Sequence, residues 1–186
     1  MTKFSSILIG NEALLVQCGE MLLQRGHTIG VVVTRTPPIA DWAQKNGIRV
    51  EKPGRSLAMR LGDVTVDWLF SIANLSLIPE DVLSLASKGA INFHDGPLPA
   101  YAGLNAPVWA LLNGERNHGI TWHMITDEVD AGEIVMRQAI AIDDDETAFT
   151  LNAKCFAAAI ESFGPLIEAL EVDNLSPENQ DFSTRT

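Results

Sequence analysis

The stretch NFHDGPLPAYAGLNAPVW, residues 92–109, divides the sequence into two parts with different patterns. Before it, apolar runs typical of strands alternate with amphipathic runs typical of helices. After it, two strand-like runs follow each other across a short turn. The stretch places Asn92 and His94 at the end of an apolar run and then has three prolines and two glycines in one long turn. These residues bear on both the fold and a candidate site.

The residues before this stretch predict a parallel sheet. Apolar and β-branched runs typical of strands occur at residues 3–10, 27–34, 47–51, 66–73 and 90–94. Helix-like segments lie between them, at residues 12–26, 37–45, 57–61 and 79–89. Strands that alternate with helices predict an α/β fold, a Rossmann-like and mostly parallel twisted sheet flanked by helices.

The residues after the stretch predict an antiparallel addition to that sheet. A short helix is expected between Asn105, a candidate N-cap, and Gly114. The runs at residues 119–126 and 133–142 predict an antiparallel strand pair joined by the turn DEVDAG. A long helix is expected after the acidic residues 143–146, and steps of three and four predict its buried face to be Phe149, Ala153, Phe156, Ile160, Phe163, Ile167 and Leu170. We expect one catalytic domain at residues 1–172 and a polar tail or linker at residues 173–186.

Composition excludes several classes of partner. The chain has 186 residues, 13 basic side chains and a formal net charge of −11, which argues against binding to nucleic acid or to an anionic membrane. No apolar run reaches the roughly 18 residues of a membrane-spanning helix, and no signal peptide is visible, so a cytoplasmic location is expected. The two cysteines, Cys18 and Cys155, are far apart and fit core positions in a reducing compartment.

Asn92, His94 and Asp130 are the candidates for chemistry. Residues two apart on a strand share a face, and ligands of open α/β sheets bind beyond the carboxyl ends of the strands. Asn92 and His94 would therefore form a donor pair for a carbonyl oxygen that gains negative charge. Asp130, in the DEVDAG turn, is a candidate to orient the imidazole or accept a proton. The alternative is that Asn92 and His94 only cap a strand and that Asp130 is solvated.

Two other kinds of site are weighed and disfavoured. His94, Asp95, His123 and Asp130 have ligand chemistry for a metal ion, but no H-E-x-x-H or H-x-x-E-H spacing supports a metal site. The first predicted strand is followed by IGNEALL, which lacks the glycines of a dinucleotide loop. It also places Glu12 where a phosphate would be repelled.

Residues 91–135 resemble the core signature of the folate-dependent N-formyltransferases. The signature combines N-x-H, L-P-x-Y-x-G, W-A-x-x-x-G-E, G-I-T-x-H and D-x-G-x-I, and the resemblance extends over residues 4–170. It implies a catalytic triad of Asn92, His94 and Asp130 and N10-formyltetrahydrofolate as formyl donor. It also implies that the pterin is flanked by Leu75, Ser76, Leu77, Ile78, Asp127, Glu128 and Val129, largely through backbone groups.

Within the family, the form GPLPAYAGLNAPVWA with GITWH looks most like formyltransferase domains of nonribosomal peptide synthetases. Many members read S-L-L-P where this chain has Gly96-Pro97-Leu98-Pro99. The resemblance implies an aminoacyl group on a carrier-protein phosphopantetheine as the acceptor, with the polar tail as the connection to a further domain. The alternatives are a stand-alone amino-sugar nucleotide N-formyltransferase and a non-catalytic folate-binding module.

Overall fold

The computed structural model describes residues 2–184, and the chain divides into two compact units, with the boundary between Ile91 and Asn92. Residue 1 of the expected domain and residues 185 and 186 of the expected tail lie outside the described residues. The domain boundary at residue 172 stays a prediction.

Unit 1 alternates strands and helices. Its elements are β1 (Ser5–Ile9), α1 (Ala13–Gln24), β2 (Thr28–Val33), α2 (Pro37–Lys45), β3 (Arg49–Glu51), α3 (Leu57–Leu61), β4 (Val66–Ser71), α4 (Glu80–Leu83) and the start of β5 (Ala86–His94). Strand β1 pairs in parallel with β2 and β4, and β2 pairs in parallel with β3. The strands are short apolar runs, and β1, β2 and β4 are buried along most of their length, as expected for a parallel sheet covered on both faces.

Unit 2 contains the end of β5 and the antiparallel addition. Its other elements are α5 (Ala106–Leu112), β6 (Asn117–Met124), β7 (Ile134–Ala141), α6 (Ala148–Glu171) and a 3₁₀ turn (Phe182–Thr184). Strands β6 and β7 pair antiparallel. The hydrogen-bonded strand order is β3-β2-β1-β4-β5-β6-β7. The predicted fold class, a mostly parallel sheet with an antiparallel pair near its C-terminal side, is confirmed.

Two predicted elements differ from the structure. The helix expected over residues 79–89 ends at Leu83, and residues 86–89 belong to β5 instead, with Gly89 inside the strand at φ 137°. Just before that strand, the carbonyl of Leu85 accepts a hydrogen bond from the amide of Val66 at the start of β4. Sequence periodicity cannot reveal such a backbone partner, because it is 19 residues away in the chain.

The buried face of α6 is only partly the predicted one. Phe163, Ile167 and Leu170 are buried as expected, but Phe149 is 83% exposed and Ala153 is also exposed. The N-terminal half of the helix is instead buried through Leu151, Cys155, Ala158 and Ala159. Two sets of apolar residues have helical spacing in this segment, so spacing alone predicted the wrong buried face for the first turns of the helix. The helix begins at a capping box in which Thr147 and Thr150 bond each other's backbone amides.

Glycine is required after β1 for a reason other than phosphate binding. A Cβ at Gly10 would collide with the carbonyl oxygen of Ile72. The two backbones are locked by hydrogen bonds, since Gly10 donates to the Val33 carbonyl and Ile72 donates to the Ile9 carbonyl. In this unit the glycine permits the close approach of two chain segments. Within residues 2–184, no helix has the length and apolar character needed to cross a membrane.

Candidate active site

Asn92 and His94 lie at the end of β5, where alternation places both on one face. Asn92 is half-buried, and His94 is only 6% exposed. His94 Nε2 lies 2.6 Å from the Tyr101 carbonyl oxygen, and because a carbonyl only accepts, the ring donates this bond. The other ring nitrogen, Nδ1, is therefore the one available for further chemistry.

Asp130 is brought to that free nitrogen. It sits in the turn between β6 and β7 with φ 55°, a left-handed conformation that Asp tolerates better than most residues. Its Oδ2 accepts a hydrogen bond from the Gly103 amide at 2.8 Å and lies 3.8 Å from His94 Nδ1. The structure thus places His94 and Asp130 side by side, although 36 residues separate them in the chain.

His123 is a fourth member of the cluster, and sequence reasoning considered it only as a metal ligand. It lies on β6 and is 3% exposed. Its Nδ1 donates to the Met124 carbonyl at 2.9 Å, and its Nε2 lies 3.1 Å from Asn92 Nδ2 and 3.5 Å from Asp130 Oδ1. A signal was present in the sequence, since His123 belongs to the quoted G-I-T-x-H motif. A strand neighbouring β5 would bring it to Asn92.

Burial and hydrogen bonding act in opposite directions on Asp130. Burial raises the pKa of its carboxyl, but the contacts with His123, His94 and the Gly103 amide outweigh burial and hold that pKa below its usual value. The carboxylate is therefore ionised at neutral pH in spite of its position. An ionised carboxylate beside an imidazole is suited to orienting the ring and to accepting a proton.

The proline-rich loop is held by specific hydrogen bonds as well as by its prolines and glycines. The Thr121 hydroxyl donates to the Gly96 carbonyl at 2.8 Å and accepts from the Leu98 amide at 3.1 Å. One buried threonine of β6 thus bonds the backbone at both ends of the Gly-Pro-Leu segment. Within the same loop, the Tyr101 amide donates to the Pro97 carbonyl at 3.1 Å.

Gly96 is packed against the imidazole. A Cβ at this position would lie 2.6 Å from the Ala106 Cβ, 3.0 Å from His94 Nε2 and 3.0 Å from the Tyr101 oxygen. These separations are shorter than ordinary contact distances, so a side chain at Gly96 would require its neighbours to move.

The metal alternative gains no support from this geometry. The hydrogen bonds described for Asp95 run through its backbone carbonyl, which accepts a bond from His118 Nε2 at 2.8 Å. Over residues 2–184, no group of three or more His, Cys, Asp or Glu side chains is arranged to hold a metal ion.

The residues expected to contact the pterin are described in both units. In unit 1, Leu75 and Leu77 are 83% and 82% exposed, and Ile78 is half-buried. Ser76, Leu77 and Ile78 line a cavity of about 230 Å³ together with Arg35 and Arg55. In unit 2, Asp127, Glu128 and Val129 are exposed in the turn that precedes Asp130. Their contact with a folate stays a prediction.

A comparison with known families identifies the class. The sequence model of the family described as "Formyl transferase" matches residues 27–163. The chain belongs to this family, which confirms the predicted class of enzyme and the family resemblance of residues 91–135.

Individual relatives agree with this assignment. A methionyl-tRNA formyltransferase from Anaeromyxobacter dehalogenans is 29% identical over 194 residues, covering 96% of this chain and 62% of the relative. The chain thus spans less than two thirds of the length of that curated relative. A glycinamide ribonucleotide transformylase from Symbiobacterium toebii has a TM-score of 0.82 at 22% identity, covering 95% of this chain and 93% of that one.

An N-formyltransferase from Helicobacter canadensis, solved with folinic acid and dTDP-3-aminofucose, has a TM-score of 0.83 at 20% identity. The match covers 100% of this chain and 70% of that one. At these identities the solved structures show a shared fold.

Proposed function

We propose that the chain transfers a formyl group from N10-formyltetrahydrofolate to a primary amine. The observation that carries the proposal is the meeting of Asn92, His94, His123 and Asp130 in unit 2 of a chain that belongs to the formyl transferase family. Acyl transfer to an amine needs donors for the oxygen that gains charge and a group that takes the amine proton. This cluster contains both.

Asn92 and His94 act as the oxyanion donors. Asn92 Nδ2 carries two N–H groups, and one of them donates to His123 Nε2 at 3.1 Å, which leaves the second for the formyl oxygen. His94 already donates through Nε2 to Tyr101, so it can donate to the oxyanion only through Nδ1 of the doubly protonated ring, and the Asp130 carboxylate lies 3.8 Å from that atom. A single donor of this kind typically contributes about 2.7–4 kcal/mol to the transition state.

Asp130 orients His94 and takes part in removing the amine proton. The amine nitrogen forms a bond with the formyl carbon, and the formyl oxygen becomes an oxyanion held by Asn92 and His94. The amine then loses a proton towards Asp130, and a proton reaches N10 as the bond between N10 and the formyl carbon breaks. The products are the N-formyl amine and tetrahydrofolate, so atoms and charge balance.

Turnover is the direct test of this proposal. The chain is given a formyl-folate donor with an amine acceptor, and tetrahydrofolate release is followed. We expect Asn92→Ala to lower kcat roughly 100-fold or more, with the fold retained by circular dichroism. Near-normal turnover by His94→Ala would contradict the assigned role. A non-catalytic folate-binding module, the alternative from another class, would bind folate and turn over no acceptor.

Residues 75–78 of unit 1 are proposed as folate contacts, and so, separately, are residues 127–129 of unit 2. Leu75 and Leu77 are large apolar side chains exposed to solvent. Exposed apolar surface of this kind is suited to contact with an aromatic ring. The neighbouring backbone is fixed, since Asn74 bonds both the amide and the carbonyl of Ser76. Calorimetry with a reduced folate tests this, and Leu77→Ser should weaken binding. Absence of any folate binding would count against the proposal.

The acceptor is proposed to be an aminoacyl group on a carrier-protein phosphopantetheine. Support comes from the GPLPAYAGLNAPVW form and from the net charge of −11, which a carrier-borne substrate tolerates because it needs no extended basic surface. We also place the chain in the cytoplasm, which two buried free thiols, Cys18 and Cys155, support.

An amino-sugar nucleotide is the second candidate, and one observation favours it. Arg35 and Arg55 line the same unit 1 cavity, so two guanidinium groups are available there for phosphate oxygens. The test offers an aminoacyl-carrier protein, an amino-sugar nucleotide and a methionyl-tRNA in parallel with one formyl donor. Formylation of the carrier-bound amine alone supports the first candidate, and formylation of either other acceptor alone contradicts it.

A further inference from the structure

The polar segment after α6 is ordered against unit 2 over its described part. The backbone of Glu178 forms two hydrogen bonds of 2.8 Å with Ile134, the first residue of β7. The Glu178 carboxylate also lies 3.3 Å from Arg137. Composition predicted a tail or linker here, but residues 178–180 are held beside the turn that carries Asp130.

Gln180 makes the contact with that turn. It is 9% exposed, and its Nε2 donates to the Asp130 carbonyl at 2.8 Å and to the Gly132 carbonyl at 2.7 Å. Only an NH₂ group can bridge two carbonyl oxygens, so the orientation of this amide is fixed by its partners. The amide oxygen has no hydrogen-bond partner among the described residues. Among the described residues, the Gln180 amide therefore forms hydrogen bonds only through its NH₂ group.

The turn that Gln180 contacts has a backbone conformation that needs support from its surroundings. Asp130 adopts φ 55°, and Gly132 is so close to the Met124 carbonyl that a Cβ would collide with it. Both residues bonded by Gln180 thus flank the point at which the chain makes an unusual turn. Releasing either carbonyl would let the Asp130 backbone move and take its carboxylate away from His94 and Gly103.

We propose that Gln180 is a positioning residue for Asp130, acting through the backbone of the 130–132 turn. This inference rests on the proposed function, because it assigns Gln180 a part in the reaction through Asp130. Gln180 itself touches no reacting atom. Its effect is to hold the Asp130 carboxylate at the distance from His94 that proton transfer and ring orientation require.

The test compares the full chain with Gln180→Met, which keeps the side-chain length and removes both donors. Gln138→Met is the matched control, since Gln138 lies on β7 and bonds Glu161 instead of the turn. We expect Gln180→Met to lower kcat about 10- to 100-fold with little change in the KM for the amine, because a misplacement of about 1 Å has effects of this size. Gln138→Met should behave as the unmodified chain.

A second readout does not depend on activity. The Gly103 amide donates to Asp130 Oδ2 at 2.8 Å, so its proton resonance reports the position and the ionisation of that carboxylate. In Gln180→Met this resonance should move and its titration with pH should change, and Gln180→Asn, which retains the NH₂ group, should restore part of both. Gln180→Asn also serves if the Met variant does not fold.

Each outcome decides the inference. An unchanged Gly103 resonance in folded Gln180→Met overturns it, and so does a displaced resonance with unchanged kcat. Loss of folding in both variants assigns Gln180 a structural role and also overturns it. If the unmodified chain transfers no formyl group, the proposed function fails, and the Gly103 resonance alone decides whether Gln180 positions Asp130.

Discussion

Replacing Gly96 with alanine tests how tightly the loop is fitted to His94. The added Cβ would lie 2.6 Å from the Ala106 Cβ, whereas carbon atoms normally rest about 3.5–4.0 Å apart, so the overlap is about 1 Å. It would also lie 3.0 Å from His94 Nε2 and 3.0 Å from the Tyr101 oxygen, beside the hydrogen bond that joins them. One methyl group therefore strains both a helix start and the imidazole.

The two strains have different consequences. Overpacking against Ala106 should cost about 1–3 kcal/mol of folding stability. For a chain of this size, that cost corresponds to a fall in Tm of about 2 to 12 °C. Displacement of the imidazole should lower kcat up to about 100-fold, since errors of about 1 Å in position have effects of that order. We expect both effects in Gly96→Ala.

A double variant separates them. Gly96→Ala with Ala106→Gly removes the nearest collision, so Tm should recover most of its loss, apart from about 0.5–1 kcal/mol for a glycine in α5. The contacts with His94 and Tyr101 remain, so kcat should stay low. Ala106→Gly alone gives that baseline, and Gly30→Ala, whose Cβ would meet nothing closer than 3.7 Å, is the benign glycine control. Wild-type Tm and kcat in Gly96→Ala would refute the reasoning.

Three further predictions follow from the same geometry. Because the pKa of Asp130 is depressed in the fold, its charge stabilises the protein above the unfolded pKa of about 3.9, and that stability is lost as pH falls through the lower folded pKa. The difference in unfolding free energy between wild type and Asp130→Asn, measured by urea unfolding, should thus be constant near neutral pH and shrink below about pH 4. A difference that stays constant through that acidic range would contradict the prediction. His123→Phe keeps an aromatic ring and removes Nε2, the hydrogen-bond partner of Asn92 Nδ2, so kcat should fall about tenfold because the amide is no longer held in place. Added imidazole should not restore kcat, because His123 is only 3% exposed. Burial raises the pKa of Cys18, and burial together with Asp95 and Glu146 raises that of Cys155 to about 12, so neither thiol should react with a thiol reagent at pH 8 until the chain is unfolded.

Local sequence signals were sufficient for most of the fold. Helix α2 spans residues 37–45 and helix α3 spans residues 57–61, as predicted. Both predictions succeeded because the signals for helix ends come from nearby residues. The failures lie where a distant partner decides. Residues 86–89 became strand, and Phe149 was left in water, although helical spacing favoured the opposite in both cases.

The site shows the same division between local and distant information. Asn92 and His94 could be paired from their spacing on one strand, and the motif then pointed to Asp130. The backbone partners could not be predicted from the sequence, because every residue has a carbonyl group and its identity does not show which carbonyl accepts a side-chain hydrogen bond. The Tyr101 carbonyl selects the ring nitrogen that His94 leaves free, and no residue identity signals this. Gln180 was missed for a related reason, since it contacts the backbone of the Asp130 turn from a segment whose composition is polar.

The polarity of the Asn92 amide is set by one of these invisible partners. An amide can present either its oxygen or its NH₂ group, and only the latter can stabilise an oxyanion. The Met124 carbonyl accepts a hydrogen bond from His123 Nδ1, so whenever the ring is neutral its lone pair is on Nε2. Asn92 must then turn its NH₂ group to that lone pair, as the 3.1 Å contact has it, and its second N–H is left for the substrate. A backbone oxygen on β6 thus determines, through His123, that Asn92 is a donor at the candidate site.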